Sequence, residues 1–287
     1  MPTPDSTPAA DPEAVAVPWR HNAAGLGVRR ASVAVLWSSR DLIRFFALRD
    51  LRVRYKQAVL GVVWVLLQPI ASVVIFTLVF SRLARISSEG VPYPLFALSG
   101  MVVWGYFSNA TVNGSQVLVS NPQLVTKVSF PRVAAPAAAM LPPLVDLAVS
   151  MVLVLALMVY YGVRPTWHLL AVPVWLGLLV LTAFGLAVWL SAVNVRYRDV
   201  QHALGPLMQI WLFASPVAYP SSLLEGWQAW VYALNPMTGI LGLARWSLLG
   251  TPWPGWPLVV SLTVIAAVLV TGLRYFRRAE ISFADVI

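Results

Sequence analysis

Acidic side chains are the groups of this sequence that could act as general acids, general bases or metal ligands, and they are few. The 287 residues contain 11 Asp and Glu, three His and no Cys. Asp146 is the acid that lies well inside an apolar stretch, where an ionisable group is costly and is by default a candidate for function. Asp199 and Glu225 fall in separate polar segments, so the three acids do not form one acid–base pair. A hydrogen-bonded packing role for Asp146 stays open beside the functional one.

Nucleotide and metal chemistry find little support in the sequence. Its two lysines, Lys56 and Lys127, lie outside any Gly-x-x-x-x-Gly-Lys loop of the kind that cradles phosphates in many ATP-binding proteins. There is no nucleophile elbow and no His-Glu-x-x-His pair. Without thiolates, and with scattered histidines, the sequence predicts no metal site. We therefore expect no catalytic residue, no metal and no cofactor in this chain.

Positive charges are concentrated immediately before the first long apolar run. A helix is predicted over 39–57, with a cation every few residues, and it continues into the apolar segment without a break. Arg52, Arg54 and Lys56 could meet an anionic lipid headgroup, at about 1 kcal/mol per cation near a charged surface. The charges do not segregate to one side of the helical wheel, so a helix lying flat on a membrane surface fits the pattern poorly. We predict instead a cytoplasmic interface helix over 39–57, packed between this chain and a partner subunit.

The composition is that of a membrane protein. Hydrophobic residues make up 59% of the chain and charged residues 11%, against roughly 25% charged in soluble proteins. The formal net charge of +9 does not indicate nucleic-acid binding. The basic residues sit in short loops and at the ends of apolar segments rather than on one soluble face.

Six apolar segments are long enough to cross a hydrocarbon core of about 30 Å as helices. We predict an all-α fold with spans at about 59–80, 95–117, 134–161, 169–193, 203–219 and 258–276. Pro142 and Pro143 should kink or split the third span. The stretch 220–257 is rich in Trp, Gly and Pro and predicts two short surface or re-entrant helices between spans five and six.

The distribution of positive charge favours a topology with both termini in the cytoplasm. On that topology 16 of the 20 Lys and Arg lie on the cytoplasmic side, as positively charged loops usually do. The remaining four are Arg82, Arg85, Arg164 and Arg245. Residues 1–38, which begin Pro- and Ala-rich, are predicted to form a disordered cytoplasmic tail, and residues 277–287 a short one.

Several stretches occur together in an order that resembles the type-2 ABC exporter permeases for cell-surface polysaccharides. The entry segment 49–69 reads Arg-Asp-Leu-Arg-Val-Arg-Tyr-Lys-Gln and continues through Gly61 and Trp64 to Gln68-Pro69. The further stretches that agree are 91–96, 124–132, 194–200, 215–220 and 234–237. The resemblance covers the chain from about residue 40 to its end, and the order of the stretches makes it specific.

The resemblance implies a homodimer of permeases in the bacterial inner membrane, bound to two copies of a cytoplasmic ABC ATPase. ATP and Mg would bind in that partner, and the cargo would be a polyprenyl-pyrophosphate-linked polysaccharide such as O-antigen, capsule or teichoic acid. The positions implied to contact the ATPase are Lys127, Phe130, Arg132, Arg196, Arg198 and Asp199. Those placed to meet the lipid pyrophosphate are Arg52, Arg54, Tyr55 and Lys56. The same cations could instead be topological anchors.

Aromatic side chains within or near the spans are candidates for a glycan path, because flat apolar faces stack on sugar rings. The candidates are Trp64, Phe76, Trp104, Phe107, Trp211 and Phe213. Facing lipid or neighbouring helices is the alternative for each of them.

Two other functions remain alternatives at this point. One is an ATP-driven exporter of a drug or small lipid with the same fold, which the polysaccharide-type entry segment disfavours. The other is a membrane-embedded glycosyl or phospholipid transferase, which would need a cluster of acids or a nucleophile that Asp146, Asp199 and Glu225 do not provide.

Overall fold

The computed structural model describes Trp37 and residues 39–56, 61–83, 85–86, 88–121, 131–223 and 225–283, with the backbone alone at 55–56, 61–65 and 282. The predicted disordered tail lies outside these residues except for Trp37. Lys127 and Phe130 lie outside them as well, as does the end of the predicted C-terminal tail.

The described residues are helical and contain no β-strand, which confirms the predicted all-α fold. The helices are α1 (Arg40–Lys56), α2 (Gly61–Phe76, continued by a π-helical turn Thr77–Leu83), α3 (Tyr93–Ser120), α4 (Ala134–Ala139), α5 (Leu141–Tyr160), α6 (Val172–Arg196), α7 (Val200–Phe213), α8 (Trp227–Ala233), α9 (Pro236–Leu249) and α10 (Trp256–Ala279). Short 3-10 turns occupy Trp167–Ala171, Ser221–Leu223 and Glu280–Ser282.

Five helical segments of the described chain are long and apolar enough to cross a membrane. They are Leu66–Leu83, Tyr93–Ser120, Ala134–Tyr160, Trp167–Arg196 and Trp256–Ala279. The fifth predicted span, 203–219, contains a helix that ends earlier, because α7 stops at Phe213 after 14 residues. Such a helix is about 21 Å long, which is shorter than a hydrocarbon core of about 30 Å. The chain beyond it, 214–219, is folded as turns.

The third predicted span is broken into α4 and α5 at Met140. Pro142 and Pro143 follow the break and occupy the first turn of α5. Proline is tolerated there because the first N–H groups of a helix have no intrahelical acceptor. The proline pair therefore starts a new helix rather than bending an existing one.

Helix α3 is the centre of the bundle. In its most apolar window 72% of the residues are buried inside the protein, whereas the value is 33% or less in the other four candidate spans. It packs mainly on α6, and α6 in turn packs on α10. Helices α6 and α10 approach closely where Gly185 and Gly272 meet, since a Cβ on Gly272 would lie 2.5 Å from the Gly185 backbone oxygen. Small residues allow this approach in the absence of a hydrophobic driving force between helices in lipid.

A second apolar cluster, here called the basal cluster, joins the C-terminal ends of α3, α6 and α10 to the segment around α4. Its members are Leu118, Val133, Ala135, Val188, Ala192, Val195, Phe276 and Phe283. Val133 directly follows Arg132 in sequence, and Val195 directly precedes Arg196. The cluster therefore holds the chain directly next to Arg132 and Arg196, two of the positions that the resemblance implies contact the ATPase.

Helix α1 packs against α4 and α5 along one side. The less exposed positions between 41 and 54 are Leu42, Ile43, Phe46, Ala47, Asp50 and Leu51, whereas Arg54, one turn further on, is exposed. On the other side Phe45 is 64% exposed and Val53 is 63% exposed. The helix therefore has one packed side and one exposed side, although its charged residues are not confined to one side of the helical wheel.

Candidate functional site

A cleft of about 680 Å³ opens between α2, α3, α5 and α7, with the end of α1 at its edge. Its polar lining residues are Arg54, Gln68, Ser72, Tyr106, Ser108, Asn109, Asp146, Ser150 and Gln209. The rest of the lining is apolar or lacks a polar side chain, and consists of Pro69, Met101, Val102, Trp104, Gly105, Pro143, Leu147, Gly205, Met208 and Leu212.

Three amide side chains that line the cleft are exposed. Gln68 lies on α2, Asn109 on α3 and Gln209 on α7. An amide exposed to hydrocarbon without a hydrogen-bond partner is costly, so polar groups at this depth normally face a water-filled cavity or another protein surface. The three amides therefore give the cleft a polar surface that suits contact with water or with another protein better than contact with lipid.

Helix-breaking residues lie at the cleft on two of its walls. Pro69 lies inside α2, and Gly205 precedes Pro206 inside α7. A proline inside a helix lacks the N–H that would bond the carbonyl four residues earlier. Each proline thus leaves a backbone carbonyl short of one partner, which adds polarity to helices that have little of it.

Arg54 and Asp146 form an ion pair at the mouth of the cleft. The Arg54 Nη1 atom lies 2.8 Å from Asp146 Oδ2, and the side chains are 42% and 11% exposed respectively. The pair joins α1 to α5. Asp146 thus has a charged partner, which favours the packing role that the sequence left open for it and explains how a carboxylate is tolerated inside an apolar helix.

The four residues predicted to meet a pyrophosphate do not share one face of α1. Arg52 and Arg54 are two positions apart, which places them about 200° apart around the helix axis. Arg52 is exposed, whereas Arg54 lines the cleft. The side chains of Tyr55 and Lys56 lie outside the described residues.

Three of the predicted aromatic residues pack together beside the cleft. The ring centroids of Trp104 and Phe107 are 5.3 Å apart, and those of Phe107 and Trp211 are 5.2 Å apart. Trp104 lines the cleft, whereas Phe107 is fully buried. The group belongs to the core of the bundle, and Trp104 is its member at the cleft wall.

The remaining aromatic candidates lie apart from this group. Phe76 is buried and its ring centroid is 6.4 Å from that of Phe213, which is 52% exposed. The Trp64 side chain lies outside the described residues. Trp104 is thus the one predicted aromatic that the described structure places in the cleft wall.

Four of the residues implied to contact the ATPase are described, namely Arg132, Arg196, Arg198 and Asp199, and two of them directly adjoin members of the basal cluster in sequence. Arg132 donates from Nη1 to the Glu280 backbone oxygen at 2.5 Å, and its guanidinium lies 5.9 Å from the Phe283 ring centroid. Burial raises the pKa of the Glu280 carboxyl, and the charge of Arg132 partly opposes the shift. Arg132 therefore ties the loop before α4 to the end of the chain.

The loop between α6 and α7 presents its charges to the surface. Arg196, Arg198 and Asp199 are exposed. The guanidinium of Arg196 lies 5.5 Å from the Tyr197 ring centroid, and the Asp199 carbonyl accepts a hydrogen bond from the His202 N–H. These side chains are available to a partner at the same end of the molecule as Arg132.

Arg245 is an important residue whose role the sequence did not indicate. It lies in α9 and is 4% exposed, whereas the charge distribution in the sequence indicated only that it lies on the non-cytoplasmic side. Its Nη1 and Nη2 atoms donate to the carbonyls of Pro216 and Val217 at 2.8 and 2.5 Å. Its guanidinium lies 3.6 Å from the ring centroid of Phe96. A lone cation in an otherwise apolar short helix was the available signal.

Asn235 holds the same irregular segment from the other side. Its Oδ1 accepts from the Met237 N–H at 3.0 Å and from Trp211 Nε1 at 3.2 Å. Its Nδ2 donates to Ser215 Oγ at 2.8 Å. An Asn followed by Pro at a helix start is a recognisable cap, so the local role was visible in the sequence, whereas the contacts with Trp211 and Ser215 were not.

Comparison with known proteins agrees with the resemblance. A family model described as ABC-2 type transporter matches residues 41–249, more than half of the chain. The chain is 32% identical over 212 residues to the O-antigen export system permease protein RfbA of Myxococcus xanthus, covering 73% of this chain and 80% of that protein. It is 26% identical over 243 residues to the polysialic acid transport protein KpsM of Escherichia coli, covering 81% and 91%. The chain belongs to the ABC-2 type transporter family.

Proposed function

We propose that this chain is the permease subunit of an ATP-driven exporter that carries a polyprenyl-lipid-linked polysaccharide from the cytoplasmic side across the bacterial inner membrane. The observation that carries the proposal is the similarity over 80% of an O-antigen export permease, supported by the polar cleft in an otherwise apolar bundle. O-antigen, capsule and teichoic-acid glycans fit this class of cargo.

The proposed subunit crosses the membrane six times, with both termini in the cytoplasm. Helix α7 is too short to cross alone, so the turns over 214–219 complete the crossing. Irregular backbone is tolerated at membrane depth only where protein satisfies its polar groups. The carbonyls of Pro216 and Val217 accept from Arg245, and that of Ala218 accepts from the Tyr93 hydroxyl at 2.7 Å. This pairing supports the assignment.

The cleft is proposed as one wall of the glycan path, with the second wall supplied by another copy of the chain in a homodimer. Its amides and hydroxyls match the hydroxyl groups of a sugar chain. Trp104 offers a flat apolar face to a sugar ring. Open polar surface on α2, α3 and α7 is what a path shared between two subunits requires, because each subunit alone would expose it to lipid.

Coupling to the ATPase is proposed to run through the basal cluster. The partner, in two copies, would bind ATP and Mg. Rigid-body motion passes efficiently through packed elements, and the cluster contains Val133 and Val195, the sequence neighbours of the proposed contact residues Arg132 and Arg196. Those residues are Lys127, Phe130, Arg132, Arg196, Arg198 and Asp199, with the exposed face of α1 as a further contact.

The test is to delete the gene and to measure surface polysaccharide by immunoblot, with complementation by the wild-type gene or by the exposed-charge variant Arg196→Ala. We expect loss of surface glycan with intracellular accumulation of the lipid-linked form, and full rescue by the wild type alone. Co-purification with the neighbouring ATPase in a two-to-two ratio should be weakened in Arg196→Ala. Unchanged surface glycan in the deletion strain, with altered drug efflux, would support the small-molecule exporter instead.

A further inference from the structure

The ion pair between Arg54 and Asp146 holds α1 to the bundle at the point where α1 leads into α2. Arg54 lies on the side of α1 that carries the docked positions Ile43 and Ala47, one helical turn after Asp50, and its own side chain is 42% exposed. The pair is the contact through which α1 reaches α5 with complementary charge. The position of the α1 end therefore depends on whether Arg54 keeps its carboxylate partner.

The two partners are unequally accessible. Asp146 is mostly buried in the wall of the cleft, whereas Arg54 keeps 42% of its side-chain surface exposed at the mouth. An anion that enters the cleft from this end meets the guanidinium before it meets the carboxylate. A phosphate group can replace a carboxylate as the partner of a guanidinium, because phosphate and carboxylate each accept two parallel N–H hydrogen bonds from it.

Asp146 is not left in an apolar environment if Arg54 turns away. The hydroxyl of Ser150 and the amide of Gln209 line the same cleft. A carboxylate among such groups retains partial solvation, so exchange of the Arg54 partner is less costly than breaking an ion pair in a dry core.

We propose that the pyrophosphate headgroup of a polyprenyl lipid takes Arg54 from Asp146, and that this exchange releases the α1 end from α5. The inference rests on the proposed export function and adds a substrate-displaceable latch to it. Arg54 is the residue that reads the headgroup, and Asp146 is the internal competitor that keeps the latch closed without substrate. Arg52, on the opposite side of α1, is not part of the latch.

The latch predicts opposite effects for its two halves. If it is closed in about nine of ten molecules, its removal raises the apparent affinity for a phosphate headgroup about tenfold. Asp146→Asn should therefore bind the headgroup about tenfold more tightly than the wild type. Arg54→Gln should lose the binding, although it also opens the latch.

The absence of cysteine allows a direct measurement. A single cysteine at the exposed Val53 is labelled with an environment-sensitive fluorophore in the full-length chain, held in phosphatidylcholine nanodiscs. The chain is titrated with farnesyl pyrophosphate, and separately with inorganic pyrophosphate. Nanodiscs containing phosphatidylglycerol form a third arm. We expect an emission change with farnesyl pyrophosphate at an affinity that Asp146→Asn raises, and a weaker response to inorganic pyrophosphate.

The charge-reversed double variant Arg54→Asp with Asp146→Arg is the decisive control. It retains an ion pair between α1 and α5, so its unliganded emission should match that of the wild type, but it should not respond to farnesyl pyrophosphate. Asp50→Asn is the matched control variant on α1. Asp50 does not line the cleft, and its Oδ1 atom lies 2.9 Å from Arg49 Nη2, so this variant should behave as the wild type.

Three results would overturn the latch. They are an unchanged affinity in Asp146→Asn, a normal response in the double variant, or an equal response to phosphatidylglycerol, which would make the site one for bulk lipid. Failure of the export function is read separately, from surface polysaccharide in the deletion strain. If the deletion strain loses surface glycan but the labelled chain shows no emission change with farnesyl pyrophosphate, the latch is rejected and the export function stands.

Discussion

Replacement of Arg245 by methionine should destabilise the folded permease more than any surface charge removal. Methionine keeps much of the length and the apolar contact of the side chain but donates no hydrogen bond. The carbonyls of Pro216 and Val217 would lose their side-chain donors in a region where Arg245 itself is 4% exposed. The stacking of the guanidinium on Phe96 would be lost as well.

The magnitude follows from the two carbonyls. Each buried acceptor left without a donor costs about 1–3 kcal/mol, so the pair costs about 2–6 kcal/mol. Removing a buried charge offsets part of this loss, which leaves an expected net loss of about 2–4 kcal/mol. For domains somewhat smaller than this chain of 287 residues, 1 kcal/mol shifts the melting temperature by roughly 2–4 °C, so the apparent melting temperature should fall by about 5–15 °C.

The assay is thermal unfolding of the purified chain in detergent, followed by intrinsic tryptophan fluorescence. Arg164→Met is the matched control, because Arg164 is exposed and such a change usually alters stability by less than about 0.5 kcal/mol. Tyr93→Phe, which removes only the bond to the Ala218 carbonyl, should cost about 1 kcal/mol. A difference of 2 °C in melting temperature corresponds to about 1 kcal/mol. If the melting temperatures of Arg245→Met and Arg164→Met differ by less than that, loss of the two carbonyl donors does not destabilise the protein as expected.

Three further predictions concern separate contacts. Asn235→Ala should lower the free energy of unfolding by about 1–3 kcal/mol, because a helix cap and the bonds to Trp211 and Ser215 are lost; an unchanged denaturant midpoint would contradict this. Gly272→Ala should destabilise by about 1–3 kcal/mol, since its Cβ would meet the backbone oxygen of the facing helix, whereas an alanine at the unobstructed Gly105 should not, and equal melting of the two would argue against close helix contact. Burial raises the pKa of Glu280 above 4.5, so the protonated carboxyl favours folding and stability falls as pH rises through the raised pKa. Glu280→Gln should therefore flatten the pH dependence of the melting temperature measured from pH about 4.5 upward. An unchanged slope would show that ionisation of Glu280 does not contribute to stability.

Sequence patterns anticipated the local features of this protein well. The interruption near Pro142 follows from backbone chemistry that any proline carries. The length of α7 was misjudged, because the apolar run continues through Ser215 to Tyr219 while the backbone turns. Hydropathy reports whether a residue avoids water, and it does not distinguish a helix from turns whose carbonyls are satisfied by a buried arginine.

The sequence by itself determined the class of the molecule. An all-helical membrane protein and its family were both readable, because apolar length, charge distribution and ordered motifs are properties of contiguous stretches. The tertiary structure alone decided that Arg54 pairs with Asp146, that Arg245 is buried, and that amides from three helices line one cleft. Each of these joins residues far apart in the chain, and helical periodicity specifies which face a residue occupies but not which other helix that face will meet.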